Sequence, residues 1–290
     1  KRLNLKTYGV DPAQNLHSSS TSKGHTVLCD FWPTEQGFDT QFDIITAQNS
    51  FAHNPNPLHW LLGAIKRLKN TGKIFIQTSQ ANMVLNGEFD TIYHEHINFF
   101  NIESMRRLAE RAGLYLTDVV KTPIHGTSYI FVLSKTKQNT YRMNNLLAME
   151  STLQQESTYT KWVEGVQDLL VKLRTEISRH RSAGYTIVGY GAAAKGMTLI
   201  NAADITLDCV IDDNPMKQGL YCPGTDIPVV DINWLTRLDQ SEYVLFIPLA
   251  WNFYREIKAK ILARRDVDGD HFITYFPEIN IEYNAIRKTH

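Results

Sequence analysis

The stretch Thr186-Ile187-Val188-Gly189-Tyr190-Gly191-Ala192-Ala193-Ala194-Lys195-Gly196 decides the fold class. A short apolar strand runs into Gly189-x-Gly191-x-x-Ala194, and a helical pattern follows. Glycine permits the tight turn, and the N-terminus of the next helix offers free amides and a positive dipole end to a phosphate. About twenty residues later Asp212 closes the following strand, where an acid usually grips a ribose. This order of strand, turn, helix and acid predicts a parallel α/β unit that binds a nucleotide or sugar nucleotide. The alternative is tight strand–helix packing without a ligand. Further apolar runs at 207–211, 243–247 and 271–275 supply the other strands.

Working outward, the first part of the chain shows the same alternation of apolar runs and helical patterns. Residues 6–10, 42–47, 72–78, 114–120 and 128–134 read as strands. Between the second and third of these, Asn56 can cap a helix with Pro57 in its first turn, and Gly72 would stop it. A second helix opens at Asn101 and closes at Gly113. From 141 to 181 there is no Pro and one Gly, and Trp162, Val163, Val166, Leu169, Leu170, Leu173 and Ile177 fall at helical spacing. The expected organisation is α/β, with two Rossmann-like parallel-sheet domains joined by a long helical connector. Their bounds are 1–140, with a catalytic insert around 89–126, then 141–182 for the connector and 183–290.

Composition narrows the function. Lys plus Arg and Asp plus Glu are both 30, so the net charge is zero. That balance argues against a nucleic-acid footprint or an anionic-membrane anchor. No apolar run approaches the ~18 to 20 residues of a membrane span, and no signal peptide is visible. Cys29, Cys209 and Cys222 are far apart and suit a reducing, cytoplasmic setting, with no Cys-x-x-Cys half-site for zinc. The absence of an initiator Met suggests a chain that begins partway through a longer protein.

Several residues could carry chemistry. Asp11 ends the first strand and is a candidate ribose ligand, and Asp30-Phe31 could meet an adenine edge and face. The densest titratable cluster is Tyr93-His94-Glu95-His96. On a strand, His94 and His96 would share one face and Tyr93 and Glu95 the other, whereas a bend could bring Tyr93, Glu95 and His96 together. A histidine general base suits a pKa near working pH. A metal reading would need further ligands such as His125 or His53, and no His-Glu-x-x-His spacing supports it.

Taken together, these motifs resemble the S-adenosylmethionine-dependent sugar C-methyltransferases that act on nucleotide-linked deoxy-keto-hexoses. The resemblance rests on Gly9-Val10-Asp11-Pro12, Asp30-Phe31, residues 49–53, Phe89-Asp90-x-x-Tyr93-x-Glu95-His96 and Pro123-x-His125-Gly126. It continues through Gly189-Tyr190-Gly191-Ala192-x-Ala194-Lys195, Pro223-Gly224-x-x-Ile227-Pro228-Val229, Ala250-Trp251-Asn252 and Pro277-Glu278.

The resemblance implies a methyltransferase domain, a C-terminal Rossmann-like domain and a sugar nucleotide, thymidine-diphosphate-linked, in the cleft between them. It gives Asp11 the ribose of the methyl donor, Asp30 and Phe31 its adenine, and Asn49 and His53 its pocket. His96 becomes the base, with Tyr93, Glu95 and His125 around it. Gly189, Gly191, Lys195, Asn201 and Asp212 would meet the nucleotide and its phosphates. The resemblance places the family's zinc in an N-terminal module, and the expectation is that this module, the first strand and the glycine loop are missing from this stretch of sequence. The implied reaction takes a proton from carbon 3 beside a 4-keto group and lets the enolate attack the sulfonium methyl, with no metal in the transfer itself. Two other functions are a nicotinamide-dependent nucleotide-sugar reductase, which would need a Tyr-x-x-x-Lys pair or an equivalent hydride-site acid, and a catalytically impaired sugar-nucleotide-binding protein.

Overall fold

The computed structural model describes residues 5–35, 37–124, 126–138 and 140–284. They form two compact units, one from residues up to 81 with 97–151 and the other from 82–96 with 152 onward. The segment expected as a catalytic insert of the first domain therefore folds in part with the second unit.

In the first unit, β1 (Tyr8–Val10), α1 (Gln14–Ser22) and β2 (Thr26–Leu28) make a small parallel βαβ turn. By sequence the Ser18-to-Ser22 run reads as a loop or a helix start; it forms the end of α1 instead, and β2 carries no sequence signal of its own. The Ser18-to-Ser22 run hides the helix by its polarity, yet Ser20 and Thr21 each donate 3.0 Å bonds to carbonyls one turn back, which lets hydroxyls sit inside a helix. Next come β3 (Phe42–Gln48), α2 (Pro57–Arg67) and β4 (Leu68–Thr78). Asn56 caps α2 by accepting from the His59 amide at 3.0 Å, as its sequence predicts. The helix ends at Arg67 rather than near Gly72, because Leu68 is already extended and pairs with Phe42. Leu68 continues the helical stripe in sequence but is buried as the first strand residue.

After the short α3 (Met83–Asn86), which belongs to the second unit, the first unit resumes. It adds α4 (Ile102–Arg111), β5 (Tyr115–Thr122), β6 (Ser128–Ser134) and α5 (Tyr141–Met149). Asn101 and Ser104 form a reciprocal capping box at the start of α4, and Gly113, just past its end, has φ +76°. The sheet order is β3-β4-β6-β5, with β3 and β4 parallel and β6 antiparallel to both neighbours. The expectation of parallel strands fails for β5 and β6 because the connection at 123–127 is too short for a helical crossover. Leu61, Ile74, Ile76, Met105 and Phe131 lie in this unit's core.

The second unit contains α6 (Glu156–Ser182), β7 (Thr186–Tyr190), α7 (Ala194–Ala203), β8 (Cys209–Ile211), β9 (Val229–Val230), β10 (Val244–Pro248), α8 (Tyr254–Leu262), β11 (His271–Thr274) and β12 (Asn280–Tyr283). The strand order is β12-β11-β10-β7-β8-β9, parallel except for β12. From β7 the chain moves to β8 on one side and later to β10 on the other, so the carboxyl end of β7 is a topological switch point, where α/β sheets take their ligands. The expected connector divides: α5 belongs to the first unit, and α6 buries Leu173 and Ile177 in the core of the second. Among the described residues, no helix is long and apolar enough to cross a membrane.

At the far side of this unit, His180 is buried and its Nδ1 lies 2.8 Å from the Glu176 carbonyl. The carbonyl accepts only, so Nδ1 carries the proton and Nε2 accepts from His271 Nδ1 at 3.0 Å. Burial, then His180 and Arg179, hold His271 below its ordinary pKa. A histidine held low in the folded state binds its proton more readily when unfolded. The pair's stabilisation is therefore complete above the unfolded pKa and drains away as pH falls. Thermal melts should show a lower midpoint at about pH 5 than at about pH 8, and His271→Gln should shrink that difference. An unchanged difference in the variant would assign the pH dependence elsewhere.

Candidate functional site

In the second unit, residues 82–96 leave α3 through Gly87, whose φ is +76°, and are then tied down. The Glu88 carbonyl accepts from Trp162 Nε1 at 3.0 Å, and Phe89 enters the core with Leu173 and Ile177. A tight bend follows, with Ile92 N–H bonded to Phe89 O and His96 N–H to Tyr93 O, both at 2.9 Å. The bend, not a strand, is what the chain adopts.

It brings Tyr93 and His96 together, with ring centroids 4.1 Å apart and Tyr93 Oη 2.9 Å from His96 Nε2. His96 Nδ1 sits 2.8 Å from the Thr91 carbonyl. Because a carbonyl only accepts, Nδ1 holds the hydrogen and the bare lone pair is on Nε2, where the Tyr93 hydroxyl donates to it. Burial first, then the nearby Glu95 and Asp90, raise the Tyr93 pKa and keep the phenol a donor. His96 is buried and Tyr93 half-buried. Glu95 is exposed, with its carboxylate 3.9 Å from the exposed His94; the bend turns it outward. His125 lies outside the described residues.

The Gly189 loop occupies the switch point. Gly191 has φ +101°, a conformation that only glycine takes easily. A Cβ on Gly189 would meet the side chains of Leu207 and Leu249 at 2.9 Å, so Gly189 leaves room for the apolar side chains packed over its strand. Gly189→Ala should lower stability by about 1–3 kcal/mol by overpacking, read from the urea unfolding midpoint; a midpoint equal to wild type would rule this out. The turn is held by Asp212, whose Oδ2 accepts from Ala192 N–H at 2.7 Å and whose Oδ1 accepts from Asn214 N–H at 2.8 Å. Lys217 Nζ lies 3.4 Å from Asp212 Oδ2 and donates to the Ala192 carbonyl at 2.7 Å. The expectation that Asp212 grips a ribose meets this geometry: its carboxylate is committed to its own loop. Asn201 likewise ties α7 to the following turn through the Met197 and Pro223 carbonyls, at 2.8 and 3.2 Å.

Lys195 opens the first turn of α7, where Ala193 provides no side-chain cap. Its ammonium is 3.6 Å from Asp90 Oδ1 and 5.0 Å from the Trp251 ring centre. Asp90 Oδ2 accepts from Trp251 Nε1 at 2.8 Å and from Tyr275 Oη at 3.2 Å. Sequence reasoning quoted Asp90 and Trp251 within motifs but gave neither a role, and it passed over Tyr275 and Lys217. No local signal joins Asp90 to partners 161 and 185 residues away.

The first unit carries the expected donor ligands at the carboxyl ends of its parallel strands. Asp11, one residue after β1, accepts from Ala13 N–H at 2.8 Å through Oδ1. Asp30 accepts from the Thr34 hydroxyl and the Phe31 amide, which lower its pKa. Phe31 is 73% exposed. Asn49 has φ +51°, and its Oδ1 is buried without a hydrogen-bond partner, as are the side-chain amide nitrogens of Gln77 and Gln80 and the Thr78 hydroxyl. Buried unpaired polar atoms at strand ends are costly unless a ligand or water meets them. Two carboxylic side chains, an open aromatic face and these amides fit the ribose, adenine and polar tail of S-adenosylmethionine. His53 is exposed at the end of a single helical turn, Phe51–His53. Among the described residues, no group of three or more His, Cys, Asp or Glu side chains could hold a metal ion.

Residues 123–277 match the family model for the C-methyltransferase C-terminal domain, and residues 1–119 match a methyltransferase domain. The C-methyltransferase NovU of Streptomyces niveus is 27% identical, over 94% of this chain and 67% of that protein. Among solved structures, an S-adenosylmethionine-dependent methyltransferase from Clostridium acetobutylicum ATCC 824 shares 14% identity over 47% of this chain and 76% of that one, with TM-score 0.35. One from Thermotoga maritima, described as a possible histamine N-methyltransferase, shares 16% over 45% and 73%, with TM-score 0.37. Likenesses this partial carry no argument about function.

Proposed function

Because the chain belongs to the C-methyltransferase family and is an S-adenosylmethionine-dependent C-methyltransferase, we propose that its acceptor is a nucleotide-linked 4-keto-deoxy-hexose, methylated at carbon 3. The observation that carries this reading is the Tyr93–His96 pair, an imidazole whose Nδ1 is held at the Thr91 carbonyl and whose Nε2 meets the Tyr93 hydroxyl. Methylation of an unactivated carbon needs a proton removed first, and only a carbon beside a carbonyl releases one to a base of imidazole strength.

The donor, when bound, supplies an electrophilic methyl on a positively charged sulfonium. His96 Nε2 takes the proton from carbon 3 and the imidazole becomes cationic. The Thr91 carbonyl keeps Nδ1–H in place throughout, so the ring does not turn over. As Nε2 fills, the Tyr93 hydroxyl turns from it to the carbonyl oxygen and donates to the developing enolate, the point at which charge appears. With the donor bound, carbon 3 would take the methyl as the carbon–sulfur bond breaks. Attack in line requires the reacting atoms within about 3–3.5 Å. The amides at the start of α7 suit the diphosphate. The nicotinamide reading would draw on Asp212, whose carboxylate accepts from the amides of its own loop.

The test is incubation with S-adenosylmethionine and a thymidine-diphosphate 4-keto-6-deoxy-hexose, followed by mass spectrometry, and a parallel incubation in heavy water without donor. A methylated sugar and deuterium at carbon 3 are expected. A sugar nucleotide that binds without exchange or methylation would leave a binding protein, and failure to bind it would remove the substrate class.

A further inference from the structure

We infer that Asp90 is the positioning residue of His96: held by Trp251, Tyr275 and Lys195, it fixes the backbone carbonyl that sets the place and tautomer of the base. This rests on the reading of His96 as the base. Asp90 is 2% exposed. A carboxylate this deep is costly unless hydrogen-bonded or paired; here Oδ2 is hydrogen-bonded, while Oδ1 has no hydrogen bond and faces the Lys195 ammonium. Trp251 Nε1 and Tyr275 Oη donate to Oδ2, and the Lys195 ammonium stands 3.6 Å from Oδ1. The holders are themselves fixed. Tyr275 Oη lies 2.9 Å from the Leu249 carbonyl, Trp251 packs on Phe276 with ring centres 4.4 Å apart, and Lys195 lies over the Trp251 ring.

The next residue along is Thr91, whose carbonyl meets His96 Nδ1 at 2.8 Å. Any movement of Asp90 is thus passed through one peptide unit to the group that holds the imidazole hydrogen. The Thr91 hydroxyl, 2.8 Å from Met83 Sδ, and Phe89 in the core brace the same turn, so the chain between Asp90 and the carbonyl has little slack. Without the anchor the carbonyl drifts, Nε2–H competes with Nδ1–H, and the lone pair is no longer reliably on Nε2. Lys195 also gives the anchor a link to the first turn of α7, so the base is referenced to the ligand end of the sheet.

The experiment is ring-nitrogen NMR of histidine-labelled full chain, wild type and Asp90→Ala, with steady-state kinetics on the same samples. Wild type should show His96 with a protonated Nδ1 and a bare Nε2. In Asp90→Ala the two nitrogen signals should converge toward a tautomer mixture, and kcat should fall about 10- to 100-fold, the effect of roughly 1 Å of misplacement, with KM little changed. Asp90→Asn, which keeps an acceptor for Trp251 and Tyr275, should recover part of the loss. If Asp90→Ala does not fold, Tyr275→Phe, which removes one hydroxyl, should show the same signal change in smaller measure. A folded variant that keeps the wild-type His96 signature overturns the proposal. A changed signature with undiminished turnover upholds the positioning and overturns His96 as the base.

Discussion

On the proposed reading of His96 as the base, His96→Asn should lose turnover by roughly 10²- to 10⁴-fold, the contribution of a positioned general base, while S-adenosylhomocysteine and the proposed sugar nucleotide still bind. The separation follows from the geometry. His96 is 7% exposed and both ring nitrogens are engaged, Nδ1 by a backbone carbonyl and Nε2 by the Tyr93 hydroxyl. Its imidazole is placed for one proton transfer rather than for surface contact with a ligand. Asparagine can still donate toward the Thr91 carbonyl and so preserves much of the bend, but it has no basic lone pair. Deuterium exchange at carbon 3 should therefore stop along with methylation. Calorimetric titration with each ligand and the exchange rate in heavy water check this. Exchange that persists near the wild-type rate would move the base to another residue.

Asp270→Ala costs about 3–5 kcal/mol of folding stability, the usual penalty for stripping one partner from a buried ion pair. Asp270 is 1% exposed and Arg265 6%. Arg265 Nε donates to Asp270 Oδ2 at 2.9 Å, and Oδ1 accepts from the Val244 amide at 2.9 Å at the start of β10. Burial pushes the Asp270 carboxyl up, and Arg265 and the amide pull it back. Arg265 also donates to the carbonyls of Asp239 and Glu242. Removing the carboxylate leaves a cation with two carbonyls and no counter-charge in the interior, together with an orphaned amide on the strand beside β7. Urea unfolding should show a lower midpoint at unchanged slope. A loss below about 1 kcal/mol would mean that water or a rearranged Arg265 takes the place of the carboxylate.

The comparison of sequence with structure turns on distance along the chain. The strand–turn–helix at 186–196 and the caps at Asn56 and Asn101 were legible because every interaction that forms them lies within a few residues. The same locality misled at Leu68, where a helical stripe continues by coincidence into a strand residue buried by its pairing with Phe42. Local reading left the Ser18-to-Ser22 run open between loop and helix start, because hydroxyl-rich residues favour loops until their bonds to the preceding turn are counted.

At the site, the sequence by itself determined that Tyr93, Glu95 and His96 form a titratable cluster and that a glycine turn opens a helix after a strand. Only the tertiary structure decided that the bend joins Tyr93 to His96 and leaves Glu95 outside, that Asp212 is spent on its own loop, and that Asp90 is held by Trp251 and Tyr275. Periodicity reports which face of an element is apolar. It says nothing of which side chain, far along the chain, satisfies a buried carboxylate, because that pairing is set by how the strands stack and not by any local preference of the residues.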